Sequence, residues 1–432
     1  MKSIISRLFN SPVLATAALI LLTLLFFWKI LLTNLILVGV DTFLYFYPYK
    51  AYASEALRQG RLPLWNPHLF MGAPLLANSQ VGVLYPPNWL FLWLDPPKQV
   101  AWSIGLHIAL AGILMLAYAR LSLRLSWTGA LVAAIVFAFG GYLGAQVEHI
   151  NQLNAAAWLP LLFLLYDFSL ERPRRWWWTM LLAVVIALTL LAGHAQTVFI
   201  SLFGLGLYAL WRAGETTNGR IGEWPRSVAN PIHNSQFTIH NLPSVLRLLA
   251  SSLLPLALAS FLATALAAVQ LLPTAELSGL SIRSGGLTLR ETLAFSLRPS
   301  ILHYALLPPF GVDLSQTLNE AFSEWVAYVG VSGLMLALLG GWSALWKTEA
   351  RRFVGLAGIG LLLSFGLPLY VGLYYLVPGF DLFRVPTRWL LLYAFGMAVL
   401  AGYGLETLQT PLPTRNRLTS TWCWLRARPW RL

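Results

Sequence analysis

The chain has 432 residues, 58% of them hydrophobic and only 10% charged, with a mean hydropathy of +0.67 and a formal charge of +13. A soluble domain carries about a quarter charged residues, so this composition excludes an ordinary soluble enzyme. One cysteine, Cys423, excludes an intrachain disulfide and a cysteine-built zinc site.

The chain opens on the basic stretch "MKSIISRLFN" and enters a long apolar run. That start imitates a signal peptide, but no small-residue cleavage site follows, so it reads as a retained first span. Further apolar stretches near the length a bilayer core requires recur to the end. Spans are expected at about 12–38, 99–119, 128–146, 156–170, 178–193, 195–211, 248–272, 325–346, 353–376 and 388–408. Many of the 19 tryptophans sit near span ends, at the headgroup level. The fold class is therefore an all-α polytopic membrane protein with about ten transmembrane helices.

Charge sets the orientation. With the N-terminus inside, the inner segments hold 19 of the 29 lysines and arginines, most clearly at "ERPRR" and "KTEARR". Both ends are then cytoplasmic, and the +13 is a topology signal rather than a nucleic-acid footprint. The transmembrane domain covers 1–408, and 409–432 is a basic inner tail. The outer loops fall at about 39–98 and 273–324. In the first, Pro48 suits a helix start and Gly60 the position past a helix end, which predicts a helix over 48–59. The inner loop 213–247 is polar and aperiodic, and reads as flexible. No Walker-type loop and no GxGxxG occur, which sets aside an ATP-driven pump.

Four outer clusters carry candidate chemistry, because charge near a membrane is costly unless used. Asp41, just past the first span, reads as a general base or metal-linked carboxylate, or as a helix cap. Glu148 and His149, in "GAQVEHINQLN", read as a metal, proton or phosphate site, or as a solvated turn. His194 and Gln196, in "AGHAQ", read as binding groups, or as partners of open helix ends. Arg283, Arg384 and Arg388 read as a forked grip on phosphate, or as ion pairs with Glu276 or Asp381. Tyr47 and Lys50, in the aromatic strip "DTFLYFYPYK", join the substrate-binding set. Together these groups suit a lipid-phosphate sugar donor whose head faces outward.

At this point the ordered pieces "DTFLYFYPY", "GRLPLWNPHLFMGAPLLAN", "VEHINQLNAAAWLPLLFLLYD", "LAGHAQTVF", "VQLLPTAELSGLSIRSGG", "LLPPFGVD", "WVAYVGVSGLMLALLG" and "FRVPTRWLLLYAFGMAVLAGYGLE" resemble the YfhO-like bacterial membrane proteins, which look like GT-C-type glycosyltransferases. The resemblance implies a GT-C-like fold in a bacterial plasma membrane. It also implies a polyprenyl-phosphate-linked sugar as donor and a cell-envelope polymer as acceptor. Asp41 matches the position of the family's key acid, and Glu148 fills the place of a second. No cofactor is assigned. A divalent metal stays open, with Asp41 and Glu148 as its ligands. Asp41 stands alone where many such enzymes carry an acidic pair. The end soon after span ten resembles a truncated member. The competing readings are a transporter or flippase of lipid-linked sugars, whose mark would be ionisable groups deep in several spans (Lys29 is the clearest deep charge, while Asp167 lies near an inner end), and an inert assembly protein.

Overall fold

A computed structural model describes residues 11–69, 71–222, 242–281, 284–307 and 322–409. Arg283, most of the expected inner loop and the tail from 410 lie outside the described residues. The fold is helical throughout. The main helices are α1 Pro12–Phe26, α2 Tyr47–Arg58, α3 Pro96–Leu121, α4 Trp127–Ala138, α5 Ile150–Ala156, α6 Leu159–Glu171 and α7 Arg175–Leu191. They continue with α8 Ala195–Gly222, α9 Leu242–Leu266, α10 Ala268–Gly279, α11 Val331–Ser343, α12 Thr348–Ser364, α13 Pro368–Leu376 and α14 Leu390–Gln409.

Local sequence explains the boundaries. Pro96 and Pro97 open α3, where their fixed φ fits and no N–H is needed. Ser126 Oγ caps α4 by accepting the Gly129 N–H at 3.1 Å. Helix α2 falls where Pro48 and Gly60 predict it, with Gly60 at φ +71°. The rest of the first outer loop consists of short helical turns and a ribbon, β1 Trp65–Asn66 against β2 Ala73–Pro74.

Among the described residues, five helices are long and apolar enough to cross a bilayer alone. Two bent pairs, α9–α10 at 78° and α12–α13 at 89°, qualify together. Pro12–Phe26, Arg175–Leu191 and Val331–Ser343 are shorter apolar helices. Each of these segments coincides with one of the expected spans.

Two boundaries differ from the sequence reading. The first span does not run to 38: helix α1 stops at Phe26, a short turn covers Trp28–Leu32, and 35–39 carry no regular structure. Lys98 Nζ gathers the carbonyls of Ile30 (2.8 Å), Thr33 and Leu35 (3.2 Å), orphan acceptors at the end of that short turn. Lys29 is exposed within the turn. Helix α8 also continues to Gly222, past its expected end at 211 and into the segment read as flexible.

Asp167 is buried and paired with Arg212, and it accepts from Ser122 and, at 3.2 Å, from Tyr208. This lock joins α3, α6 and α8 at the ends that the charge distribution predicts to face inward, so Asp167 is a brace.

Helix α14 is the centre. It is buried almost all round and packs against α4, α11 and α12. Three of its glycines each meet a different neighbour's backbone. A Cβ would lie 2.8 Å from Phe353 O at Gly396, 2.8 Å from Gly129 O at Gly402, and 1.8 Å from Leu336 O at Gly404. Helices approach this closely in lipid only where side chains are absent. Gly404→Ala is therefore expected to lower the unfolding midpoint in detergent, by at least the ~1–3 kcal/mol typical of overpacking. Gly206→Ala, with nothing within 4 Å of its added methyl, leaves the midpoint unchanged. Equal midpoints for the two variants would contradict this packing.

Candidate functional site

A cleft of about 1050 Å³ opens at the end of the bundle that the charge distribution predicts to face outward. Its walls come from 40–46, 79–80, 148–151, 193–196, 271–281, 286–287, 295, 323–324 and 382–388. These are segments that the charge distribution places outside, or the outermost turns of spans. Six connections, α1–α2, α2–α3, α4–α5, α7–α8, α10–α11 and α13–α14, thus converge on one space, with helix α10 beside them.

Arg388 organises it. The residue sits in the 3-10 turn Pro386–Trp389 that leads into α14. Its Nε donates to Glu324 Oε1 and Oε2 at 3.2 and 3.1 Å, and its Nη2 to Oε1 at 2.5 Å. Its Nη1 donates to Gln196 Oε1 at 2.8 Å and faces His194 Nε2 at 3.3 Å. Gln196 Nε2 in turn donates to Arg384 O at 2.6 Å, and Tyr142 donates to Arg388 O at 3.3 Å. The turn is held against resistance: Val385 is buried at φ +68°, a strained conformation for a β-branched residue.

The histidine turn has one steric condition. Gly193 has φ +88°, and a Cβ there would stand 2.0 Å from Ser79 O. Asn151 Nδ2 also reaches Gly193 O at 3.3 Å. His194 is thereby fixed against Arg388, with its Nδ1 2.7 Å from Thr197 Oγ1.

Two more acids line the same cleft. Asp41 precedes the π-helical turn Thr42–Phe46 that leads into α2, is half exposed, and caps no helix with its side chain. The Glu148 carboxyl lies against the backbone at Gly39, where an added Cβ would be 3.0 Å from it. His149 Nε2 is 3.6 Å from Asp41 Oδ2 and 3.9 Å from Glu324 Oε1.

Burial would push the Glu324 carboxyl up, but the Arg388 charge and its hydrogen bonds, with His149 and Arg384 nearby, hold it below the ordinary carboxylate range. Burial takes His194 well below the usual imidazole range, and the Arg388 and His149 charges add to the effect. Burial alone takes Lys50 down to about 8.

Of the residues singled out from sequence, Asp41, Glu148, His149, His194, Gln196, Arg384 and Arg388 line the one cleft. Lys50 and Tyr47 do not: both are buried in α2, and the Tyr47 hydroxyl is spent on Leu37 O at 2.7 Å. Arg388 pairs with neither Asp381 nor Glu276 but with Glu324. Sequence reading missed Glu324, although "SEWVAY" carries the same signal as Asp41, a lone acid beside an apolar run. The amides around His149 serve as braces: Gln146 holds Ser323 O, Asn151 holds Gly193 O and Gln152 holds Tyr142. Asp41 and Glu148 share the cleft, but no three His, Cys, Asp or Glu side chains converge as metal ligands among the described residues.

No family model matches the sequence, and no curated protein matches it. Among solved structures, the chain is similar to the cryo-EM structure of the arabinofuranosyltransferase AftD from Mycobacteria, with a TM-score of 0.49 and 16% identity over 95% of this chain. The chain spans 25% of that protein's length.

His194 sets an acid limit on stability. Its folded form binds a proton less readily than its unfolded form, so stability falls as pH drops below about 6.5, the unfolded imidazole value. Glu324 adds a second loss below about 4.5 by the same sign. His194→Asn, which cannot ionise, is expected to flatten the unfolding midpoint between pH 5 and 6.5. A wild-type slope retained in the variant would contradict the burial of a neutral imidazole.

Proposed function

We propose that this chain is an integral membrane glycosyltransferase of GT-C type. It moves a sugar from a polyprenyl-phosphate donor to an acceptor on the outer face of a bacterial plasma membrane, such as a cell-wall polymer. The observation that carries this reading is the cleft itself, which is lined both by carboxylates at Asp41 and Glu148 and by arginines at Arg384 and Arg388.

The cleft also has a lipid side. Helix α10 turns Leu271, Thr274, Ala275 and Ser278 into the cleft at helical spacing. Its other surface exposes Val269 and Leu272, which suits contact with acyl chains. A phosphate head inside the cleft with its tail along α10 satisfies both surfaces.

The chemistry follows from these two sets of groups. Asp41 takes the proton of the acceptor hydroxyl as its oxygen attacks the anomeric carbon. The bond from that carbon to the phosphate oxygen breaks, and the electron pair leaves with the phosphate. Guanidinium groups stabilise that charge, and a phosphate at Arg388 competes with Glu324 for the same fork. A metal, if bound at Asp41 and Glu148, would supply further charge to the leaving phosphate.

The test is transfer in proteoliposomes with a radiolabelled polyprenyl-phosphate hexose. Asp41→Asn is expected to lower turnover by about 10²–10⁴-fold, the usual worth of a general base. Its unfolding midpoint stays at the wild-type value, because the side chain is half exposed and makes no cap. Wild-type turnover in the variant would overturn the assignment of Asp41.

A further inference from the structure

The turn between α6 and α7 carries three exposed cations, Arg172, Arg174 and Arg175. The acids at the end of α6 are already engaged, because Asp167 and Glu171 both pair with Arg212. None of the three arginines forms an ion pair among the described residues. A bias of charge across a membrane needs cations at one end of the bundle, but it needs no fixed geometry. This turn is fixed. Trp178 Nε1 donates to Pro173 O at 3.2 Å, and the Trp178 ring meets Phe168 edge to face, with centres 4.9 Å apart. The Arg172 guanidinium lies over the same Phe168 ring, 4.8 Å from its centre. Arg174 stands at φ +54° and ψ +49°, the left-handed region that a residue with a side chain seldom adopts.

Next to these cations, α7 turns one face to α6 and α9 and leaves the other exposed. Trp177, Leu181 and Val184 stand on the exposed face at the i, i+4, i+7 spacing of a single helical stripe, and each is 44–51% exposed. Trp176 stacks on Trp177 with ring centres 4.2 Å apart. The order along the surface is guanidinium, indole, aliphatic. A phospholipid has the same order: phosphate, ester level, acyl chain. We propose that the α6–α7 turn and the exposed face of α7 form a binding site for one anionic phospholipid. The arginines donate to its phosphate. Trp177 lies beside its ester groups, and an acyl chain runs along Leu181 and Val184. A free phosphate would answer the cations and leave the stripe uncovered, so the lipid is the occupant that fits both parts. The site stands apart from the cleft, which none of these residues lines, and it does not depend on the transferase reading. By the charge distribution, its lipid comes from the inner leaflet.

Native mass spectrometry of the purified protein tests this, with phosphatidylglycerol added at rising concentration and bound lipids counted. Wild type is expected to hold one phosphatidylglycerol at concentrations where phosphatidylcholine leaves no adduct, and excess glycerol phosphate does not displace it. A basic group beside an anionic lipid is worth roughly fivefold in affinity, so the triple variant Arg172→Gln, Arg174→Gln, Arg175→Gln is expected to bind at least about tenfold more weakly. A control triple variant, Arg124→Gln, Arg290→Gln, Arg298→Gln, removes the same charge from exposed positions elsewhere and keeps the wild-type affinity. Should the site variant fail to fold, Arg175→Gln alone, with its loss of about fivefold, keeps the test in force. Leu181→Ser leaves every charge in place and is expected to weaken the lipid as well, through the acyl chain. Wild-type affinity in the arginine variants, equal binding of phosphatidylcholine, or displacement of the lipid by glycerol phosphate would each overturn the proposal.

Discussion

The outer cleft depends on one buried ion pair, Arg388 with Glu324. Burying two charges is costly unless the geometry is good and the remaining donors are satisfied. Here the guanidinium fork meets both carboxylate oxygens, and its last amino group is taken up by Gln196 and His194. Removing one partner of such a pair typically costs about 3–5 kcal/mol, because the other is left buried and uncompensated. The pair joins three distant parts of the chain: the loop before α11, the α7–α8 turn and the entry to α14. It works beside the packing of α11 on α14 and the hydrogen bonds from Gln196 to Arg384 O and from Gln146 to Ser323 O.

The pair stands where it does because α14 stands where it does. Gly396, Gly402 and Gly404 let α12, α4 and α11 approach that helix to backbone contact, which fixes its height and rotation. Arg388, one turn before its start, inherits that position, and the strained Val385 shows the turn being held to it. The bundle supplies rigidity, while the acids arrive on less buried segments. Asp41, half exposed at the head of α2, is the most accessible of them. A fixed cation and a more mobile base suit a site that must admit a lipid-borne head and then an acceptor.

Much of the fold was legible, for a physical reason. Apolar runs are imposed locally by the bilayer, so spans can be read without knowing any contact. The same rule brought Asp41, Glu148, His149, His194, Gln196, Arg384 and Arg388 into view, as polar groups with no local reason to sit beside a membrane. Pairings across long sequence separations were not legible. Glu324 is 64 residues from Arg388, and nothing in "SEWVAY" names that partner. Lys98, which holds the end of the turn after the first helix, acts across 63–68 residues. Tyr47 and Lys50 looked like part of a binding strip, but helical rotation turns them into the interior. The amides around His149 looked like a ligand shell, and they are the braces of the turn.

The central claim is that the outer cleft receives a lipid phosphate head. The most direct measurement is photo-crosslinking with a polyprenyl phosphate that carries a photoreactive group next to its phosphate, followed by peptide mapping. The account predicts adducts on the peptides that contain 271–278 and 382–388, lost when unlabelled polyprenyl phosphate is added in excess. Adducts spread over the lipid-facing helices, unaffected by that competitor, would contradict it.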